Sequence, residues 1–243
     1  MHRFFASGSS ITDSAVRLEG DDVKHITKVL RLGIGDRISV CDGEGTDYIC
    51  AVSETGKDFV EADIIEKMPN TNESNIQITL YQGLPKGDKM DYIIQKSVEL
   101  GVNTIVPVAM KRTVVKLKNA SPKEQRWQRI AEEAAKQSMR GIIPKVESAV
   151  SFDDMVSAFR EDTLYILPYE NESHTRLKHV LADNRKYSKI GIIIGPEGGF
   201  EEDEVAKASQ SGAHAVTLGP RILRCETAPV AAVAAVMYEL GDW

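Results

Sequence analysis

The 243-residue sequence is poor in cysteine, and its three cysteines and five histidines form none of the common metal-ligand motifs. Cys41, Cys50 and Cys225 are odd in number and include no C-x-x-C pair, and no H-E-x-x-H motif is present. His174 and His179 are five residues apart, a spacing that places them on different faces of a helix. We therefore expect neither a disulfide framework nor a metal site.

Long apolar runs are also missing from the chain. The longest one, at about residues 228–238, is far shorter than the roughly 20 apolar residues that a membrane-spanning helix requires. The first ten residues, MHRFFASGSS, lack the apolar stretch of a signal peptide. These absences predict a soluble protein of the cytoplasm without a membrane partner.

The net charge of −6 argues against a nucleic-acid partner only until its distribution is considered. Between Lys111 and Lys145 the chain has ten Lys or Arg and three acidic residues, so this segment carries +7 and the rest carries −13 (−6 minus +7). Such a segment is suited to binding phosphates. A solvated helix face with ion pairs at i,i+4 explains it equally well.

Two different hydrophobic patterns meet near residue 72. The segments 36–43, 46–54 and 58–66 alternate apolar and polar residues between turn residues, which predicts strands of a small barrel or sandwich. Before them, residues 19–32 have helical spacing, with basic residues on the polar face. The polar segment 68–75, MPNTNESN, is typical of a linker.

From Ile76 onward, apolar segments alternate with amphipathic ones. This alternation is typical of an α/β fold, in which helices cover both faces of a parallel sheet. The predicted strands are 76–82, 103–109, 163–169, 190–194 and 214–219, and the predicted helices are 88–100, 123–139, 152–160, 173–182, 201–211 and 227–240. Ligands of such sheets bind at the carboxyl ends of the strands, so the loops there are candidate sites.

Three of those loops are rich in Gly and Pro: Leu167-Pro168, residues 195–199 (GPEGG) and Gly219-Pro220-Arg221. Glycine lets a ligand approach the backbone closely, and proline makes the turn rigid. A tight turn between strand and helix would explain one such loop without any ligand. Two Gly-Pro loops after neighbouring strands favour a binding site.

The charge around these loops restricts the ligand. Four acids, residues 201–204, open the following helix, where they complement the helix dipole and would repel a phosphate. Neither a Walker-type loop nor G-x-G-x-x-G is present. The pocket should therefore suit a cofactor that is neutral or positive near Glu197, and S-adenosylmethionine, with its sulfonium and α-amino groups, meets this requirement.

The last predicted helix is slim and largely apolar. Thr227 is its predicted N-cap, Pro229 lies early in it, and five of its residues are alanine, namely 228, 231, 232, 234 and 235. Small side chains permit close packing, so we expect this helix to be buried on most sides, including against another chain. An alanine-rich helix selected only for its propensity is the alternative.

Several segments carry a resemblance to a known family: HRFF, HITKVLRLGIGDRISVCDG, GLPKGDKMDYIIQKSVELGV, IGPEGGF and LGPRILRCETA. Their order and spacing resemble the SPOUT class of knotted methyltransferases and, within it, the RsmE family, which methylates N3 of a uridine in 16S (small-subunit) ribosomal RNA. The resemblance implies a PUA-like β-barrel RNA-binding domain at residues 1–72. It also implies a SPOUT methyltransferase domain at residues 73–243, with a trefoil knot, a homodimer and S-adenosyl-L-methionine as cofactor.

The resemblance, together with the chemistry of a uridine acceptor and the positions of basic residues, suggests roles for individual residues. The expected cofactor contacts are Leu167, Pro168, Gly195, Pro196, Glu197, Gly198, Leu218, Gly219, Pro220, Ile222 and Leu223. Arg221 or Arg224 would stabilise negative charge on the base, with Arg224 preferred, and Glu226 or Glu197 would take the proton or orient an arginine. The expected contacts to small-subunit ribosomal RNA or to the 30S subunit are Arg3, Lys24, Lys28, Arg31, Lys86, Lys89, Arg112 and Lys116.

Three other interpretations remain open at this stage. The chain could be a SPOUT methyltransferase with a different RNA substrate. It could be a non-catalytic RNA-binding factor of ribosome assembly, in which case the strand-end loops would be structural. It could also be a nucleotide-dependent enzyme, which the charge argument disfavours.

Overall fold

A computed structural model describes residues 1–113 and 120–243, which divide into two compact units. The first unit contains residues 1–73 together with 135–143, and the second contains the rest. The predicted boundary near residue 72 agrees with the end of the first long segment of the first unit. The predicted domains 1–72 and 73–243 did not anticipate that residues 135–143 also belong to the first unit. Their assignment as RNA-binding and methyltransferase domains stays a prediction.

The first unit is built on a small curled sheet of five strands in the order β1-β3-β4-β5-β2. The strands are β1 (His2–Phe5), β2 (Ala15–Glu19), β3 (Arg37–Cys41), β4 (Thr46–Thr55) and β5 (Phe59–Pro69). Register shifts between β4 and β5 increase the local twist. The three predicted strands are β3, β4 and β5. The sequence pattern does not predict β1, which pairs in parallel with β3 and so depends on a non-local contact.

The predicted basic helix of the first unit is shorter than expected. It consists of α1 (Asp21–Lys24) and a π-helical turn at His25–Val29, with Val23 and Ile26 buried in the core. Arg31 then takes a positive φ of 55°, which ends the helical path. Lys24, Lys28 and Arg31 are exposed, as a surface contact with RNA requires.

A buried polar network fastens the segment 135–143 to the rest of the first unit. Arg3 donates hydrogen bonds to Asp47 Oδ1 at 2.7 Å and to the carbonyl of Arg140 at 2.6 Å. The Arg140 guanidinium pairs with Glu73 Oε2 at 2.6 Å. Because Arg3 is only 6% exposed and already paired, its position does not support the predicted phosphate contact, and we remove it from the candidate RNA contacts.

The second unit contains a parallel sheet in the order β12-β10-β11-β6-β7-β8, with β9 also paired to β7. Its strands are β6 (Gln77–Gly83), β7 (Thr104–Ala109), β8 (Lys145–Val146), β9 (Val150–Ser151), β10 (Leu164–Pro168), β11 (Lys189–Ile194) and β12 (Ala213–Val216). Its helices are α2 (Lys89–Glu99), α3 (Ala120–Gln137, which continues into the first unit), α4 (Phe152–Ser157), α5 (Leu177–Asp183), α6 (Glu202–Gln210) and α7 (Thr227–Leu240).

Helices pack against the apolar side chains of this sheet, because its strands present fully buried Ile, Val and Leu. On one face α4 and α6 enclose an apolar core that includes Val108, Leu167 and Ile193. On the other, α7 packs against β6 and β11 and also against α2 and α5. The predicted α/β architecture with a parallel sheet is confirmed.

Helix α7 begins at Thr227, the residue that the sequence pattern predicts as its N-cap. The N-cap is in fact Glu226, whose backbone is already helical and whose side chain makes no cap hydrogen bond. The prediction for Thr227 was wrong by one position. Glu226 is consequently the residue at the amino end of the helix, where its carboxylate complements the helix dipole.

Within the described part of the chain, no helix is both long and apolar enough to cross a membrane. The three cysteines are buried and carry free thiols.

Candidate active site

A cavity of about 1580 Å³ lies at the carboxyl ends of strands β10, β11 and β12. The loops after these strands contribute residues 168–170, 172–173, 195–200 and 217–225, and helix α7 forms a wall with the side chains of Ala228, Ala231, Ala234 and Ala235. The small alanine side chains leave this space open. The site therefore lies where the parallel sheet predicts a ligand.

Glycine allows the strand-end loops to approach one another. A Cβ on Gly83, at the end of β6, would stand 2.5 Å from the nitrogen of Pro196. Gly199 has a φ of +69°, and a Cβ there would stand 2.4 Å from a carboxylate oxygen of Glu170. The geometry at Gly83 and Gly199 thus excludes any larger residue without displacement of a neighbour.

The amino end of α6 is closed to an anion. Glu201 and Glu204 form a reciprocal capping box, in which each side chain accepts a hydrogen bond from the other's backbone N–H. Glu204 also accepts from the backbone of Lys111 at 2.9 Å, and Arg112 pairs with Glu201 at 2.9 Å. Because carboxylates already occupy these donors, a phosphate cannot bind there as it binds in a nucleotide loop.

Lys89, the first residue of α2, lies between two carboxylates at the cavity. Its Nζ is 3.1 Å from Glu197 Oε1 and 3.3 Å from Glu226 Oε2. It also lies 3.8 Å from the thiol sulfur of Cys225, and this thiol is 3.2 Å from Glu226 Oε2. The backbone N–H of Lys86 donates to the same Glu197 oxygen at 2.9 Å. One ammonium group thus joins three separate segments of the second unit.

The ionisation of this cluster follows from its contacts. Burial raises the pKa values of Glu197 and Glu226, but hydrogen bonds and the Lys89 ammonium outweigh burial and hold both below the ordinary 4.5. The hydrogen bond to Glu197 raises the pKa of Lys89. Burial, reinforced by Glu226, raises the pKa of Cys225 to about 12. At neutral pH the cluster therefore consists of two carboxylates, one ammonium and one neutral thiol.

Arg221 and Arg224 line the same cavity and are exposed. Among the residues that the structure describes, no carboxylate lies within ion-pair distance of either guanidinium. Arg224 is two residues before Glu226 in the chain. Two unpaired cations therefore lie beside an ion-paired cluster, available to an anionic group of a ligand.

The predicted cofactor contacts come together in the structure. All of them except Leu167 line the cavity, as do the predicted catalytic residues Arg221, Arg224 and Glu197. Leu167 is fully buried in the core formed with α4 and α6, so its side chain does not support a cofactor contact. Glu226 does not itself line the cavity, but it forms an ion pair with Lys89, which does.

The predicted RNA contacts in the second unit have different surroundings. Lys86 is exposed, whereas Lys89 pairs with Glu197 and Glu226 and lines the cavity. Arg112 is exposed but pairs with Glu201 and donates to the carbonyl of Gly198. Lys116 lies outside the described residues.

Ion pairs compensate much of the basic segment between Lys111 and Lys145. Six of its cations have a carboxylate partner, and all six partners lie outside the segment. The pairs are Lys111–Asp203, Arg112–Glu201, Arg126–Asp91, Lys136–Asp22, Arg140–Glu73 and Lys145–Glu147. The described part of this segment therefore supports the interpretation as a paired surface more than that of a free phosphate-binding strip.

The sequence did not predict that Lys89 pairs with Glu197 and Glu226, or that the alanines of α7 line the cavity. A signal for Lys89 was available, because the strand β6 ends at the same edge of the sheet as the other three. The loop after it, GLPKGDK, therefore had to lie beside the GPEGG loop. Tyr169, Glu170 and Arg176, which also line the cavity, have no recognisable motif.

Comparison with known proteins agrees with this geometry. A family model described as an RNA methyltransferase domain matches residues 72–237, and one described as an RNA methyltransferase PUA domain matches residues 18–65. The ribosomal RNA small subunit methyltransferase E of Bacillus subtilis is 37% identical over 228 residues, which cover 91% of this chain and 89% of that protein.

Solved structures of methyltransferases are similar to this chain over almost its whole length. The ribosomal RNA small subunit methyltransferase E of Neisseria gonorrhoeae, bound to S-adenosyl methionine, is 34% identical with a TM-score of 0.92, over 100% of this chain and 99% of that one. A Legionella pneumophila protein in complex with the cofactor SAM is 30% identical with a TM-score of 0.87, over 99% and 98% of the two chains. The present chain therefore belongs to the RNA methyltransferase family, together with the ribosomal RNA small subunit methyltransferase E proteins.

Proposed function

We propose that this protein transfers a methyl group from S-adenosyl-L-methionine to N3 of a uridine in 16S ribosomal RNA. The observation that carries the proposal is the cavity at the ends of β10, β11 and β12, where two unpaired arginines lie beside an ion-paired carboxylate cluster. Membership of the RNA methyltransferase family supports the same reaction.

The residues around the cavity fit the cofactor. A Gly-rich backbone with the close contact between Gly83 and Pro196 forms one side, and the alanines of α7 form another. The acidic start of α6 rejects a polyphosphate, and Glu197 suits a cationic group. The residues that would hold the cofactor are Pro168, Gly195, Pro196, Glu197, Gly198, Leu218, Gly219, Pro220, Ile222 and Leu223. When bound, it supplies an electrophilic methyl group on a sulfonium.

The protein's part in the reaction is to make N3 nucleophilic. N3 of uridine carries a proton at neutral pH, and it becomes a good nucleophile only as that proton leaves. Arg224, with Arg221, stabilises the negative charge that develops on the base, as an oxyanion site does. Glu226 or Glu197 accepts the proton, and both are ionised at neutral pH. Holding N3 in line with the methyl carbon supplies a further part of the rate.

We place the predicted RNA contacts on each unit separately. Lys24, Lys28 and Arg31 are exposed on the first unit and suit phosphate contacts, as does Lys86 on the second. We also propose that the chain works in the cytoplasm as a homodimer with a knotted methyltransferase domain. Tyr238 on α7 and Ile222 before it are 73% and 86% exposed, which supports a subunit contact beside the cavity.

A methylation assay tests the proposed function. Purified protein, S-adenosyl-L-methionine and small-subunit ribosomal RNA or 30S subunits are incubated, and the nucleosides are analysed by mass spectrometry. Wild type should form N3-methyluridine. Arg224→Ala should lose roughly 100- to 1000-fold in rate while its affinity for the cofactor stays within about threefold. Arg160→Ala, at an arginine that is 72% exposed, is the control and should keep the wild-type rate.

The other interpretations give different results in this assay. Absence of cofactor binding and of any methylated nucleoside would leave the non-catalytic assembly factor as the explanation. A methylated nucleoside other than N3-methyluridine, or methylation of another RNA only, would indicate a methyltransferase of different specificity. Tighter binding of ATP or NAD than of the methyl donor would favour a nucleotide-dependent enzyme.

A further inference from the structure

Lys89 has no role in the methyl transfer as described so far, although it lines the cavity. An ammonium group has three hydrogen-bond donors. Three acceptors surround this one: Glu197 Oε1 at 3.1 Å, Glu226 Oε2 at 3.3 Å and the Cys225 sulfur at 3.8 Å. Lys89 therefore has no donor left for a substrate, and any contribution must act through its partners.

Lys89 and its two carboxylate partners come from different parts of the second unit. Lys89 begins α2, Glu197 lies in the loop after β11, and Glu226 caps α7. Without a cation between them, the two carboxylates would repel each other across the Lys89 position. The lysine side chain is only 33% exposed, so water screens these charges incompletely.

The two carboxylates differ in what else they contact. Glu197 Oε1 accepts from both the Lys86 N–H and Lys89, which fixes it on the side of the GPEGG loop. Glu226 lies two residues after Arg224, on the segment that carries the arginines for the acceptor base. Because Glu197 is held on the side of the GPEGG loop, Glu226, which lies on the same segment as Arg224, is the candidate acceptor for the proton that leaves the base.

Within the proposed function, on which this inference rests, we propose that Lys89 is a positioning residue that holds Glu226, at the start of α7, as the proton acceptor of the reaction. As the bond from N3 to the methyl carbon forms, the bond from that carbon to sulfur breaks. The proton of N3 passes to the Glu226 carboxylate and from there to solvent. In this role Lys89 contacts neither the base nor the cofactor. Its ammonium group offsets the negative charges of Glu197 and Glu226 and so keeps the Glu226 carboxylate in place.

The pH dependence distinguishes this role from simple structural support. The charged groups that face Lys89 are Glu197 from the loop after β11 and Glu226, with the Cys225 thiol, from the segment before α7. On α2 itself, Asp91 is engaged by Arg126. Loss of the ammonium removes the main positive charge at Glu226, so its pKa rises and it becomes protonated at a higher pH.

The test uses the full-length protein and single-turnover methylation of small-subunit ribosomal RNA across pH 4–9. Lys89→Met should lower the rate roughly 10- to 100-fold, keep cofactor affinity within about threefold and move the acidic limb of the profile to higher pH. Lys96→Met is the matched control, because Lys96 lies on the same helix, is 34% exposed and pairs only with Glu99 among the described carboxylates. It should leave the rate and the profile unchanged.

A double-mutant cycle shows whether Lys89 acts through Glu226. In a Glu226→Gln background, Lys89→Met should cost no more than about threefold, because the group that it positions is already removed. If the two effects are fully additive, or if Lys89→Met alone keeps the wild-type rate and profile, the proposal is overturned.

Two further results separate failure of this proposal from other failures. If wild type transfers no methyl group at all, the proposed function is contradicted and the role of Lys89 with it. If Lys89→Met unfolds at assay temperature, Lys89→Arg replaces it, since it keeps a cation at this position. Lys89→Arg should keep the acidic limb where wild type has it, and a limb displaced to higher pH in a folded Lys89→Arg protein overturns the proposal.

Discussion

Gly83 and Pro196 lie in such close contact that a Cβ on Gly83 would stand 2.5 Å from the Pro196 nitrogen and 2.8 Å from the Gly195 carbonyl carbon. This contact joins the end of β6 to the GPEGG loop at the edge of the cavity. The loop after β11 therefore takes its position partly from a neighbouring strand. Any side chain at residue 83 must displace backbone, because no flexible side-chain atom lies between them.

We expect Gly83→Ala to move the GPEGG loop and lower affinity for S-adenosyl-L-methionine at least tenfold, with a loss of about 1–3 kcal/mol in the free energy of unfolding. Calorimetric titration and urea unfolding measure the two effects. Gly33→Ala is the control, because nothing lies within 4 Å of a Cβ there and its φ is not positive. Wild-type affinity in Gly83→Ala would show that the loop is positioned independently of β6.

The ion pair between Arg3 and Asp47 should stabilise the first unit. The Arg3 side chain is 1% exposed, and removal of one partner leaves a charge buried without compensation. Asp47→Ala should therefore lower the free energy of unfolding by about 3–5 kcal/mol in urea. Glu19→Ala removes the exposed pair with Arg17 and should cost less than about 1 kcal/mol. Equal effects of both substitutions would contradict the importance given to burial.

The three thiols should be unreactive in the folded protein. Burial raises the pKa values of Cys41 and Cys50 to about 11 and that of Cys225 to about 12, so very little thiolate exists at neutral pH. A thiol reagent at pH 7.5 should label almost none of them in native protein and all three in guanidinium chloride. Fast labelling of Cys225 alone would show that its surroundings are more open than in this structure.

The carboxylates at Lys89 should make stability depend on acidic pH. Glu197 and Glu226 have lowered pKa values in the folded chain, although burial opposes the shift. Their stabilisation is complete above the pKa of the unfolded chain and is lost as the pH falls through the folded values. Urea unfolding should therefore show falling stability below about pH 4.5, and a Glu197→Gln, Glu226→Gln protein should show a weaker dependence in this range. If the double variant loses stability with falling pH as steeply as wild type does, other acidic residues cause the loss.

Local pattern predicted much of the fold. The Ala and Val spacing predicted a helix at 227–240, which is observed at Thr227–Leu240, and IGIII lies within β11 (Lys189–Ile194). Such elements carry their signal within the segment. Strand β1 does not, because its parallel partner β3 begins more than 30 residues later and only that pairing makes HRFF a strand.

The site was predictable as a set of loops but not as a set of contacts. The two Gly-Pro loops indicated the cavity, although the strands before them, β11 and β12, are not adjacent as predicted but lie on either side of β10. The parallel sheet still brings the ends of all three strands to one edge. The pairing of Lys89 with Glu197 and Glu226 depends on how the start of α2, the loop after β11 and the start of α7 are positioned relative to one another. No local sequence pattern determines these positions. The same holds for Arg3, whose charge predicted a surface contact but which is buried and paired with Asp47, 44 residues away.

The most direct test of the proposed function is the nucleoside composition of small-subunit ribosomal RNA from a strain that lacks this protein. Mass spectrometry should show that one N3-methyluridine is missing, that the wild-type gene restores it and that Arg224→Ala, expressed at the same level, does not. An N3-methyluridine content identical in the presence and absence of the protein would contradict the function proposed for this cavity.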